Sequence, residues 1–244
     1  MRLAVVARGK TDDIGELSNG GNSVDELVDV VNEQNEVLGS KLKSLVHRDG
    51  DWHRSVHLWI VDPLSKKILL QRRSSNKDTD ANMLDVAVGG HVDSGEKYSE
   101  AWREIKEELG VEIAINEIFE LGVIPVAKHQ VVLNKQDEHS PRGIVTRELC
   151  LVAITSKWSS AYQYSFDPEE LSGVVEVSLT GLRDLLTDIP TQGMSWDGIV
   201  YKPIDISPDE LVRQPYLAEF LGLCESFMAG ERDIRFAASL TNSQ

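Results

Sequence analysis

The chain has 244 residues, 41% of them hydrophobic and 27% charged, with a formal net charge of −15 and an isoelectric point near 4.8. That size and mix can bury a substantial core in one domain with extensions. The acidic balance argues against general binding to nucleic acid or to an anionic membrane, both of which need a basic footprint. Cys150 and Cys224 sit in apolar runs without metal-ligand spacing. They are expected as reduced core thiols of a cytoplasmic protein.

At the N-terminus the apolar run Leu3-Ala4-Val5-Val6-Ala7 is too short for a signal-peptide core or a membrane span. Residues 1–24 are expected as a polar extension without fixed structure, and residues 25–190 as the main domain. In that domain Glu26–Val31 and Val37–Leu42 flank the turn Asn32-Glu33-Gln34-Asn35, and Val56–Val61 and Ile68–Gln71 flank Asp62-Pro63-Leu64-Ser65. Both pairs read as hairpins. Leu84–Val88 runs into a glycine-rich loop, and a helix follows to Leu109, with Ser99 as its expected N-cap and Gly110 as its stop. Further strands are predicted at Phe119–Val126, His129–Leu133, Ile144–Ile154 and Val174–Val177, and a short helix at Leu179–Leu186.

Residues 191–244 are expected as a C-terminal extension, in which Gly193–Gly198 is a flexible stretch bordering the pocket. Leu217, Phe220, Leu221, Cys224, Phe227 and Met228 follow helical spacing and predict a helix at about 216–229 that packs on the domain. Antiparallel hairpins with few helices make the fold class α+β.

The chemistry concentrates in residues 89–111. Ala101, Ile105 and Leu109 recur every four residues as an apolar stripe. Beside it Arg103, Glu104, Glu107 and Glu108 fall within two turns, and the three carboxylates converge on one patch because positions i, i+3 and i+4 share a helix face. Such a patch needs a hard divalent cation, Mg²⁺ or Mn²⁺ in its place, to remove its repulsion. A lone Glu-x-x-Glu-Glu is ordinarily a solvated surface. Here Gly90, Arg103, Glu104, Glu107, Glu108 and Gly110 fit one signature, whose chance match is on the order of 10⁻⁵ at average residue usage.

That segment resembles the Nudix box, Gly-x5-Glu-x7-Arg-Glu-U-x-Glu-Glu-x-Gly-U with U apolar, except that six residues rather than seven separate Glu96 from Arg103. Outside the box, Leu27–Glu33, Trp52–His57, Gln71–Ser74, Asn82–Val86 and Gly89–Val92 are similar to the branch of the Nudix hydrolase superfamily related to isopentenyl-diphosphate isomerase. The resemblance implies an α/β/α sandwich with a mixed sheet. It also implies a metal held by Glu104, Glu107 and Glu108 with the Gly89 carbonyl, Arg103 orienting the carboxylates, and Glu108 or Glu148 as the general base. Arg73 and Lys77 fall where a diphosphate substrate is contacted, and the resemblance makes His57 and His91 candidates for binding that substrate, as phosphate or metal contacts.

Within that branch the residues favour a hydrolase. Gly89 stands where the isomerase carries its catalytic cysteine, and Thr146-Arg147-Glu148 retains one carboxylate of an expected pair. Isomerisation needs a proton donor and an acceptor on opposite faces of an allyl unit, and glycine is neither. The expectation is a metal-dependent hydrolase of the diphosphate linkage in a nucleoside-diphosphate-type or other small organic diphosphate, compatible with a homodimer. An isomerase-like enzyme and a noncatalytic diphosphate-binding protein are the alternatives.

Overall fold

The computed structural model describes residues 25–134, 137–158 and 163–240. The expected polar extension, residues 1–24, lies outside the described residues.

Both expected hairpins form. β1 (Leu27–Val31) pairs antiparallel with β2 (Val37–Leu42). Their turn is fixed by the Asn32 side chain, whose Oδ1 accepts from the amides of Gln34 and Glu36 at 3.0 and 2.9 Å. β3 (Trp52–Asp62) pairs antiparallel with β4 (Lys67–Arg73). Between the hairpins lies a helix that the sequence did not predict, α1 (Lys43–Asp49), ended by Gly50 in the left-handed region at φ 70°. It has seven residues, no side-chain cap and one buried residue, Val46, so it carries no apolar stripe to read.

The remaining elements are β5 (Leu84–Val86), β6 (Val88–His91), α2 (Glu104–Leu109), β7 (Phe119–Asn134), β8 (Asp137–Thr155), β9 (Leu171–Ser178), α3 (Leu179–Leu186), β10 (Thr191–Trp196), β11 (Tyr201–Ile206) and α4 (Leu217–Met228). The large sheet has the order β11-β10-β9-β4-β3-β8-β7, with β5 on β4 and β6 on β3. Strands β3 and β8 run parallel and their neighbours antiparallel, so the sheet is mixed.

Two sequence expectations change here. The predicted strands at Phe119–Val126 and His129–Leu133 are one strand, β7. Gly193–Gly198 is not a flexible stretch, because residues 191–196 form β10, paired with both β9 and β11. The polar composition of β10 and β11 hid them, whereas backbone pairing to the apolar β9 holds them in place.

Strand alternation feeds two cores. From β3, Val56, Leu58 and Ile60 join Ala101, Ile105 and Leu109 of the α2 segment on one face. Trp59 and Val61 point to the other, where Leu182 and Leu185 of α3 meet Phe220, Cys224 and Phe227 of α4. The rings of Trp59 and Phe220 stack at 4.2 Å. This is an α/β/α sandwich, and α4 covers one side of it. Cys150 and Cys224 are both free and buried, and among the described residues no helix is long and apolar enough to cross a membrane.

Candidate active site

The short box is accommodated by a tighter turn. Residues Ala101–Arg103 form a 3₁₀ turn that leads directly into α2, and 3₁₀ geometry uses 3.0 residues per turn instead of 3.6. Ser99 is therefore not the cap: Glu100 precedes the turn, with no side-chain capping bond. Gly110 is the stop, at φ 68° with its amide on the Lys106 carbonyl. Glu96 still reaches Arg103, Oε1 lying 3.2 Å from Nε.

Arg103 organises the acidic face. Its Nη1 donates to Glu104 at 2.7 Å and to Glu107 at 3.3 Å, and its Nη2 lies 2.8 Å from Asp93. Burial opposes its charge, and the carboxylates of Glu104, Asp93 and Glu96 outweigh that and raise its pKa above the ordinary value. Glu104, Glu107 and Glu108 line one cleft, joined by Glu26, Asp167 and Glu170.

Inside that cleft Glu108 is almost fully buried, and its Oε2 accepts from the Gly89 amide at 3.1 Å and from Gln71 Nε2 at 3.4 Å. Burial first, and then the charge of Glu104, push its pKa up to about 8. Burial also raises Glu104, against the pull of Arg103. Two buried carboxyl groups that cannot both ionise cheaply are what a divalent cation relieves, so these residues fit a metal. The glycines of β6 permit the approach: a Cβ on Gly90 would lie 2.3 Å from the Glu104 carboxyl carbon.

On the other side of β6 is a second ligand set. His47, His53, His91 and Glu148 place one ligand atom each within 4.8 Å of one another. Burial lowers the pKa of His47 to about 4 and that of His91 to about 3, so both are neutral with lone pairs available. Burial would raise Glu148, but the imidazoles of His91, His53 and His57 outweigh it and hold the carboxyl below its usual range. Neutral His47 and His91 beside an ionised Glu148 are in the protonation state that a divalent metal requires.

The predicted residues thus divide between two places. Glu104, Glu107, Glu108 and Arg103 gather at the acidic cleft, while His57, His91, Glu148, Arg73 and Gly89 line the cavity beyond β6. Lys77 is drawn toward the cleft by its ion pair with Glu170, and Arg73 is held by the Thr79 carbonyl at 3.2 Å and lies 3.7 Å from Asp85. Sequence reading missed His47, which sits on the unpredicted α1, and Asp85, Gln214 and Tyr216. Gln214 Nε2 donates to Asp85 at 2.9 Å, and Tyr216 is 2.7 Å from His57. His47 Nε2 lies 3.3 Å from His53 Nε2.

The model of the NUDIX domain family matches residues 51–192. An uncharacterised Nudix hydrolase of Clostridium acetobutylicum is 32% identical over 178 residues, 72% of this chain and 81% of that protein. A Nudix hydrolase of Deinococcus radiodurans is 42% identical over 94 residues, which span 38% of this chain and 54% of that protein. The crystal structure of DR0079 from Deinococcus radiodurans is similar with a TM-score of 0.51 and 25% identity, over 82% of this chain and 99% of that one. The family acts on diphosphate-containing substrates and generally uses a divalent metal. With the family model covering more than half of its length, and a relative of this identity aligned over most of its own, the chain belongs to the Nudix family and is a Nudix hydrolase.

Proposed function

We propose that this hydrolase cleaves the diphosphate linkage of a nucleoside-diphosphate-type or other small organic diphosphate, with Mg²⁺ held by Glu104, Glu107, Glu108 and the Gly89 carbonyl. The observation that carries the reading is Glu108, a buried carboxyl pinned by the Gly89 amide beside a second carboxylate. A bound divalent cation supplies charge neutralisation on the phosphates and a water of lowered pKa. Arg103 fixes the carboxylate face through four acidic partners. Arg73 and Lys77 supply fixed positive charge for the phosphates, the former as a planar fork and the latter as a point charge.

Glu108 and Glu148 are the two candidates for the proton acceptor. The His47, His53, His91 and Glu148 group supports a second cation on the far side of β6. Isomerisation is disfavoured because Gly89 opens toward His57 with no proton to give.

The test is product analysis of a panel of organic diphosphates with and without Mg²⁺. Phosphate or phosphomonoester release is expected with Mg²⁺, lost with EDTA and restored by excess Mg²⁺. Glu107→Gln and Glu108→Gln should remain folded and lose most turnover, roughly a hundredfold or more, because each amide removes a charge while keeping the shape. Wild-type rates in both variants, or conversion of isopentenyl diphosphate to dimethylallyl diphosphate, would overturn the assignment.

A further inference from the structure

Four histidines surround the region beyond β6, and imidazole can serve there as a cation ligand or as a hydrogen-bond donor to phosphate. We propose that Tyr216, held by Trp59, fixes the tautomer of His57 so that its Nε2–H donates to a phosphoryl oxygen of the substrate, and that His57 is not a cation ligand. This rests on the diphosphate-hydrolase reading for the identity of the acceptor, and on hydrogen-bond chemistry alone for the tautomer.

The chain of donors starts at Trp59. Its indole Nε1 can only donate, and it lies 3.3 Å from the Tyr216 hydroxyl oxygen. That hydroxyl lies 2.7 Å from His57 Nδ1. Tyr216 is buried, and burial raises its pKa well above the ordinary value, so it keeps its proton. With Trp59 a donor, His57 Nδ1 is the one acceptor among the described residues for that proton. The opposite tautomer would set Nδ1–H against O–H and leave a buried hydroxyl proton without a partner, which native interiors avoid.

Nδ1 is therefore the acceptor. An imidazole whose Nδ1 accepts a hydrogen bond carries its one ring proton on Nε2. That nitrogen makes no hydrogen bond to the described residues. It faces the space left by Gly89, where a Cβ would stand 3.7 Å from Nε2. His57, Gly89 and Arg73 line the same cavity of about 110 Å³. A protonated nitrogen has no lone pair for a metal, and the ligand set of His47, His53, His91 and Glu148 closes without His57. Two fixed donors, His57 Nε2–H and the Arg73 guanidinium, in one cavity match an anionic oxygen.

Nitrogen NMR of the full chain labelled with ¹⁵N-histidine reads the tautomer directly, whether or not any diphosphate is turned over. His57 is expected with a bare Nδ1 and a protonated Nε2 at neutral pH, unchanged by Mg²⁺. Methylenediphosphonate, which cannot be hydrolysed, should shift the Nε2–H resonance. Tyr216→Phe should mix the tautomers and weaken methylenediphosphonate binding roughly tenfold, the loss of one oriented hydrogen bond to an anion. His57→Gln, which keeps an N–H near the Nε2 position, should recover most of the binding that His57→Met loses. A wild-type Nδ1–H tautomer, loss of the Nε2 proton on addition of Mg²⁺, or equal binding by His57→Gln and His57→Met would each sink the proposal. If Tyr216→Phe does not fold, the wild-type spectrum and the two His57 variants decide. A protein that shows the expected tautomer and binds methylenediphosphonate but hydrolyses nothing would overturn the hydrolase reading and leave this one standing.

Discussion

Gly89 and Glu108 are joined by a hydrogen bond of 3.1 Å from the strand amide to the helix carboxyl, which brings the acidic face of α2 against the glycine pair of β6. A carboxyl held in that place is electrostatically uncomfortable without a cation, and its discomfort is measurable.

Metal-free protein should lose stability as pH rises. The folded-state pKa of Glu108 is about 8, against an ordinary value of 4.5, so the folded state holds this proton where the unfolded chain has released it. The contribution is fully present below about pH 4.5 and is lost as pH climbs through about 8, on the order of a few kcal/mol. Melts of EDTA-treated protein should fall between pH 6 and pH 8.5 by more in the wild type than in Glu108→Gln, and Mg²⁺ should close that gap. Parallel pH curves for the two proteins would show that Glu108 is not the strained group.

Gly90→Ala should separate folding from function. The atoms nearest the added Cβ are Cδ, Cγ and Oε1 of the Glu104 side chain, 2.3 to 2.5 Å away, so Glu104 must swing aside. The cost in stability should be about 1 to 3 kcal/mol, with loss of most turnover and weaker Mg²⁺ binding by calorimetry. Unaltered Mg²⁺ affinity in a folded variant would remove Glu104 from the ligand set.

Arg73→Gln and Lys77→Gln should each lower kcat/KM about tenfold to a hundredfold, the loss of a charge-assisted contact to phosphate of about 1.5 to 3 kcal/mol. Their melts should differ. Arg73 holds the Thr79 carbonyl and is largely buried, so its variant should melt slightly lower, whereas the partly exposed Lys77–Glu170 pair should contribute less than about 1 kcal/mol. Unchanged kcat/KM in both variants would place the two cations outside the site.

Phe220→Ala tests whether α4 is integral to the domain. Phe220 is fully buried and stacks on Trp59, so truncation should cost about 3 to 5 kcal/mol by chemical denaturation. A loss under about 1 kcal/mol would mean that α4 folds as a separable appendage.

What the sequence determined by itself is what local spacing encodes. Glu104, Glu107 and Glu108 share a face because the helix period places them there, the Leu217-to-Met228 stripe gives α4 for the same reason, and Gly110 stops α2 because it accepts a left-handed φ of 68°. The tertiary structure decided what depends on partners distant in the chain. His47 becomes a ligand candidate because α1 packs against β8, which carries Glu148. The polar β10 and β11 are strands because β9 pairs with β10. Tyr216 meets His57 across 159 residues, a contact made when the residue preceding α4 docks against β3. Side-chain periodicity is a local property and leaves its mark in the sequence, whereas sheet order and the convergence of single polar residues arise only when non-local surfaces are buried together, and single residues carry no period to betray them.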